Sequence, residues 1–154
     1  MILANIPLPD IQIPADVRKS AKHPEIIPFH RNVPFGAGSW IGCCYAWPHV
    51  DPCWDGDYFL TLTVFSDKHQ IGDAASPEPL MNVPRGTLFV VDPRVRHWLS
   101  YEPSWRTTRT APWIAVQWEV PRAKAKQLAR KIVTDLDGVW VETLDNRYKN
   151  WAPK

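Results

Sequence analysis

The clearest pattern along the chain is strict alternation over residues 58–65. Tyr58, Leu60, Leu62 and Val64 fall on one face, and Phe59, Thr61, Thr63 and Phe65 on the other, the period of a β-strand. Residues 113–120 repeat it, with Ile114, Val116, Trp118 and Val120 in phase. Residues 87–91 read as a short apolar strand entered from Arg85-Gly86; Asp92-Pro93 then turns the chain into a second strand over 96–99. Residues 39–47, rich in aromatic and β-forming side chains after the Gly36-Ala37-Gly38 turn signal, are predicted as one strand. The period changes at 121–136. Leu128, Ile132 and Leu136 are spaced i, i+4, i+8, Pro121 suits a first helical turn and Gly138 a stop, so a helix is expected there. Residues 139–142 would add a last short strand.

The remaining stretches are less regular. Residues 1–35 carry Pro7, Pro9, Pro14, Pro24, Pro28 and Pro34 and read as an N-terminal cover. Within it, 11–13 would be an edge strand, 15–22 about two helical turns ending before Pro24, and 25–30 a further strand. Residues 66–83, polar and Gly/Pro-bearing, read as a functional loop or lid. Strands dominate, one helix closes the order, and no repeat or internal boundary appears. The expectation is a single mainly β domain over 1–154, an antiparallel jelly roll or double-stranded β-helix, with its β core at 39–120 and a C-terminal helix.

Composition narrows this picture. With 45% apolar and 22% charged residues, the chain has the material for a packed core. Sixteen Pro against seven Gly favour short strands and rigid corners over long helices. A net charge of +2 does not call for nucleic acid. Arg122, Lys124, Lys126, Arg130 and Lys131 on the helix would suit a phosphate backbone, but the solvated face of an amphipathic helix is the simpler account. No apolar run is long enough to span a bilayer. The cysteines, Cys43, Cys44 and Cys53, are odd in number, and the residues from Met1 to Pro9 lack a basic leader region; a reduced, cytoplasmic setting is expected. Of the nine Trp, six (Trp47, Trp54, Trp98, Trp105, Trp113 and Trp118) lie near the candidate chemistry in sequence. They are read first as packing and alternatively as the walls of an aromatic pocket.

That chemistry is His49, Asp51 and His97. Two imidazoles and one carboxylate are the facial set that holds non-haem Fe(II) and leaves positions open. His49 and Asp51, at i and i+2, point to one face of a strand, and His97 can join them from a strand adjacent in space. Arg109, ahead of the apolar strand at 113–120, is a cation able to clamp a dicarboxylate. Taken singly, each has a plainer reading: a Pro-flanked turn for His49 and Asp51, a hydrogen-bonded strand histidine for His97. His23, His30 and His69 are read as surface or packing residues.

In combination, residues 49–120 resemble the core of the Fe(II)/2-oxoglutarate-dependent oxygenase superfamily. The residues that carry the resemblance are His49-Val50-Asp51, the Gly86-to-His97 segment with its apolar strand and turn, and Arg109. The family's frequent serine two positions beyond the arginine is replaced by Ala111. The resemblance implies Fe(II) held by His49, Asp51 and His97, 2-oxoglutarate paired with Arg109, and hydroxylation of a small-molecule, side-chain or base substrate; Tyr45 and Tyr58, by their position alone, would add hydroxyls to the co-substrate carboxylates. The alternatives are a non-catalytic cupin-like or jelly-roll binding module and a Trp-rich interaction protein.

Overall fold

A computed structural model describes residues 1–22, 38–51, 56–74, 80–101 and 111–141. Their elements, in chain order, are β1 (Ile2–Asn5), α1 (Ala15–Ser20), β2 (Ser39–Cys43), β3 (Ala46–His49), β4 (Asp57–Phe65), β5 (His69–Asp73), β6 (Leu80–Asn82), β7 (Thr87–Val91), β8 (His97–Tyr101), β9 (Trp113–Pro121), α2 (Arg122–Asp135) and β10 (Val139–Trp140). One sheet runs β10-β1-β7-β4-β9-β2 and the other β3-β8-β5-β6, with antiparallel pairing throughout. From β2 to β9 the chain passes back and forth between the sheets. The resulting order, β2-β9-β4-β7 facing β3-β8-β5-β6, is that of a jelly roll. The protein is thus a mainly β double-stranded β-helix with a C-terminal helix, and β1 and β10 extend one edge.

Two cores follow from strand parity. Tyr58, Leu60, Leu62 and Val64 of β4, with Ile114, Val116, Trp118 and Val120 of β9, face α2 and the N-terminal segment. There they meet Ala125, Ala129, Ile132 and Val133 of α2; full burial of a Val or Ile is worth about 1.5–3 kcal/mol. The opposite face of the same strands looks between the sheets, where Phe59, Phe89, Val91 and Trp113 pack against Ala46, Ile71 and Leu99. β4 is therefore buried on both sides from Tyr58 to Val64, with Thr61 and Thr63 among the residues of its inter-sheet face.

Several expectations are corrected. Residues 39–47 are two strands in different sheets, because the chain crosses over at Cys44 and Tyr45. Residues 66–83 are no simple loop: β5 and β6 lie inside that span. Residues 11–13 form no strand; Ile13 is instead a buried side chain of the helix-side core. β1, unanticipated, pairs with both β7 and β10. The stop of α2 places Asp137 and not Gly138 in the left-handed region, at φ 52°, which Asp tolerates better than most residues. The strand expected at 25–30 lies outside the described residues. Among the described residues, no helix is long and apolar enough to cross a membrane.

Candidate metal centre

Strand β3 is the edge of the four-stranded sheet and pairs with β8 as Ala46↔Leu99 and His49↔His97. Between those pairs Trp47 and Pro48 oppose Trp98 alone, so β3 carries a bulge. Pro48 has no N–H to give a ladder, and an edge-strand bulge is where a proline fits. The extra residue also resets the phase. Ala46 and His49 both line the space between the sheets, while Trp47 turns outward, 59% exposed. His49 and His97 thereby become direct cross-strand partners.

Asp51 lies just beyond β3. Its backbone N–H donates to the Pro93 carbonyl, in the turn between β7 and β8, at 2.6 Å. Its Oδ2 stands 3.7 Å from His49 Nε2 and 3.4 Å from His97 Nε2. One ligand atom from each of His49, Asp51 and His97 falls within 4.8 Å of the others, and the two rings are 4.4 Å apart between centroids.

The imidazoles are held in the tautomer a metal requires. His49 Nδ1 meets the Trp47 carbonyl at 2.5 Å, and His97 Nδ1 meets the Val95 carbonyl at 2.8 Å. A carbonyl only accepts, so each Nδ1 carries a proton, and in the neutral ring Nε2 then presents its lone pair. Burial lowers the His97 pKa, and the His49 charge adds to this against the opposing pull of the Val95 carbonyl, Asp51 and Asp73; the neutral, ligating form is favoured. With the imidazoles neutral, three acceptors converge, an arrangement that a metal ion could satisfy. Ligands at about 2.1 Å from a metal are about 3.0 Å apart in octahedral and about 3.4 Å in tetrahedral geometry. The observed 3.4 and 3.7 Å close to that range with small movements. The donor set fits a mononuclear first-row metal.

The turn between β7 and β8 braces two of the three ligands. Val95 N–H donates to the Asp92 carbonyl at 3.0 Å, and Arg94 N–H to Asp92 Oδ1 at 3.0 Å. The Arg122 guanidinium, at the start of α2, holds both Asp92 carboxylate oxygens at 2.8 Å and lies 4.7 Å above the Tyr58 ring. Sequence reasoning missed this clamp, because Arg122 was counted with the basic helix face.

A cavity of about 230 Å³ opens on the triad between the sheets. Phe59, Phe89, Val91, Ile71, Leu99 and Trp113 form an apolar part of its wall, and Trp98 reaches it as well. Ser39, Gln117 and Thr61 are consecutive cross-strand partners on β2, β9 and β4, so they form one polar row on the facing sheet. Thr61 Oγ1 donates to Gln117 Oε1 at 3.2 Å. Glu119 stands at the exposed rim. The signal for this row was present in the alternation: with Ile114 to Val120 facing the helix, Gln117 and Glu119 had to interrupt the other face.

The remaining expected site residues separate. Tyr58 is displaced from the site: it lies on the opposite face of β4, in the helix-side core under Arg122, and its neighbour Phe59 lines the cavity. Tyr45 is half-buried and edge-on to Trp47 at 5.7 Å, away from the cavity lining. Arg109 lies outside the described residues, as do Cys53, Trp54 and Trp105. His69 is a buried packing residue bonded to the Cys44 carbonyl at 3.1 Å.

No protein-family model matches the chain, and no curated protein matches it. Among solved structures it is similar to the cupin domain of Schizosaccharomyces pombe Cnp3, at 6% identity and TM-score 0.42 over 69% of each chain. It is also similar to a cupin 2 conserved barrel domain protein from Salinispora arenicola CNS-205, at 14% identity and TM-score 0.40, covering 80% of this chain and 99% of that one. A third is the plu4264 protein of Photorhabdus luminescens, at 16% identity and TM-score 0.36, covering 70% and 77%. The jelly-roll description stands on the strand order itself.

Proposed function

We propose that this protein is a mononuclear non-haem Fe(II) oxygenase acting on a small molecule held between its two sheets. The observation that carries the reading is the convergence of His49 Nε2, His97 Nε2 and an Asp51 oxygen at the mouth of an apolar cavity. Such a set occupies one side of a metal and leaves the other open. When bound, Fe(II) would supply the activation of oxygen. The chain's own residues do the rest. Trp47 and Val95 carbonyls fix the imidazole tautomers, the Pro93 carbonyl fixes Asp51, and Phe59, Phe89, Ile71 and Leu99 keep water from the open side.

The source of electrons divides the reading in two. With 2-oxoglutarate as co-substrate, Arg109 must reach the cavity and pair with the distal carboxylate. Without it, the substrate itself is oxidised by oxygen. The described lining residues include Asp51 and Glu119 and neither Lys nor Arg, and Arg109, on which the first form turns, lies outside the described residues.

Anaerobic titration with Fe(II) tests the centre. We expect one metal per chain, and loss of at least about tenfold in affinity on His97→Ala or Asp51→Ala, given the weight of each ligand. Binding that is absent, or indifferent to both substitutions, would remove the metal reading. Addition of 2-oxoglutarate then separates the two forms by the presence or absence of a visible charge-transfer band and of succinate. Metal binding without oxygen uptake across a substrate panel would leave a metal-binding jelly-roll module without oxygenase activity.

A further inference from the structure

We infer that the cavity is a site for an uncharged, one-ring molecule bearing a hydrogen-bond acceptor, which the Gln117 amide receives. The inference deepens the oxygenase reading by naming its substrate class; it rests on that reading for the word substrate but not for the binding.

Size sets the first limit. Cavities of about 150 Å³ lined by apolar side chains hold benzene, and a water-sized group takes up about 30 Å³. A cavity of about 230 Å³ therefore has room for one six-membered ring and about three more non-hydrogen atoms. The aromatic Phe59, Phe89 and Trp113 on one sheet and the aliphatic Ile71 and Leu99 on the other suit an apolar ring.

Polarity sets the second limit. The Thr61 hydroxyl, 1% exposed, donates to Gln117 Oε1. That contact occupies the amide oxygen and turns the two N–H donors of Gln117 away from Thr61. Gln117 lines the cavity, as does Ser39 beside it. The row opposite the metal centre thus offers donors on a neutral group. A ligand oxygen that accepts from Gln117 satisfies it, whereas a purely apolar ligand leaves a desolvated amide unpaired. In the metal-free protein an anionic ligand meets no Lys or Arg among the described lining residues and faces the Asp51 carboxylate, whereas a metal at the triad would attract it. Selection of this kind, by a hydrogen-bonding group within an apolar wall, is stronger than selection by shape alone.

Three isosteres test it: benzamide (neutral with an acceptor), benzoate (anionic) and isopropylbenzene (neutral without an acceptor). Binding of each to the full-length protein is measured by ligand-observed NMR, with and without Zn(II) as a redox-silent occupant of the metal centre. We expect benzamide to bind the metal-free protein at least about tenfold more tightly than either of the others, and Gln117→Leu to remove that advantage while leaving isopropylbenzene no weaker. Gln117→Glu, which keeps an oxygen for Thr61 but replaces donors with an acceptor, should also lose benzamide. Zn(II) binding by both variants shows that they are folded. In the metal-free protein, benzoate bound as tightly as benzamide, isopropylbenzene bound as tightly, unchanged benzamide binding in both variants, or no binding of any probe would each overturn the inference. Benzamide binding without metal binding would overturn the oxygenase reading alone; metal binding without benzamide binding would overturn this inference alone.

Discussion

Replacing Arg122 with Met should loosen the metal centre from a distance. The guanidinium grips both oxygens of Asp92 at 2.8 Å, with the carboxylate 15% and the arginine side chain 28% exposed. Hydrogen bonds to charged groups contribute about 1.5–3 kcal/mol when shielded in this way. Stacking over Tyr58 adds about 0.5–1 kcal/mol. Two effects reduce the net loss. Asp92 keeps its contact from the Arg94 N–H, and Arg122 Nε is buried without a partner, so removing it relieves a desolvated donor. The expected cost is about 2 kcal/mol, or a fall of roughly 4–8 °C in Tm for a chain of this size. Metal affinity should fall further than global stability alone explains. Asp51 hangs from the Pro93 carbonyl and His97 from the Val95 carbonyl, both on the turn that Asp92 organises. Loss of such outer partners costs about 10–100-fold in metal affinity. Urea unfolding of the metal-free protein gives the first quantity and chelator competition under native conditions the second. Lys131→Met, at an exposed i, i+4 pair with Asp135, serves as the control and should cost below about 0.5 kcal/mol with metal affinity unchanged. Stability lost in Arg122→Met at constant metal affinity would refute the idea that the turn positions the ligands.

Other outcomes are equally specific. A Cβ on Gly72 would sit 1.7 Å from Trp98 Cε2, so Gly72→Ala should expel the indole and cost about 1–3 kcal/mol; in a Trp98→Leu background the same change should cost far less, and equal costs in a double-mutant cycle would contradict the packing described. Burial lowers the His69 pKa against the opposing Cys44 carbonyl, Asp67 and Ala111 carbonyl. Its neutral ring therefore contributes stability that is complete above the unfolded value near 6.5 and is lost as pH falls below it, because the unfolded chain protonates first. His69→Gln should flatten, without abolishing, the drop in urea midpoint between pH 7 and 5, since His97 shifts in the same direction; an unaltered drop would exclude His69 as a contributor.

What could be read in the sequence, and what could not, follows from which faces are apolar. β4, β7, β9 and α2 stand at or near their expected positions because burial of at least one clean face imposes a period. β5 falls within the expected lid because its inward residues include His69 and Asp73, both 2% exposed. A buried polar side chain erases the alternation that would reveal its strand, and its hydrogen bonds come from distant residues. The misplacement of Tyr58 has a related origin. Alternation shows that Tyr58 and Phe59 face opposite ways but not which face meets a cavity, and in β4 both faces are buried. The polar interruptions Thr61 and Gln117, on the face opposite Tyr58, were the better guide.

The triad itself depends on register more than on its residues. A shift of one residue between β3 and β8 would turn His49 or His97 to the outer face. Two local features oppose such a slip. The bulge at Trp47 and Pro48 sets two residues against Trp98, and Trp98 is in turn seated on Gly72, its partner on β5, where no other side chain leaves room for the indole. Pro48 and Gly72 thus fix the strand on each side of β8, and β8 carries His97. The spacing of His49 and Asp51 is compatible with a metal on any strand; the pairing of a proline bulge with a glycine seat is what brings His97 to them in this chain. Removing the seat should therefore weaken metal binding as well as stability, even though Gly72 offers no ligand.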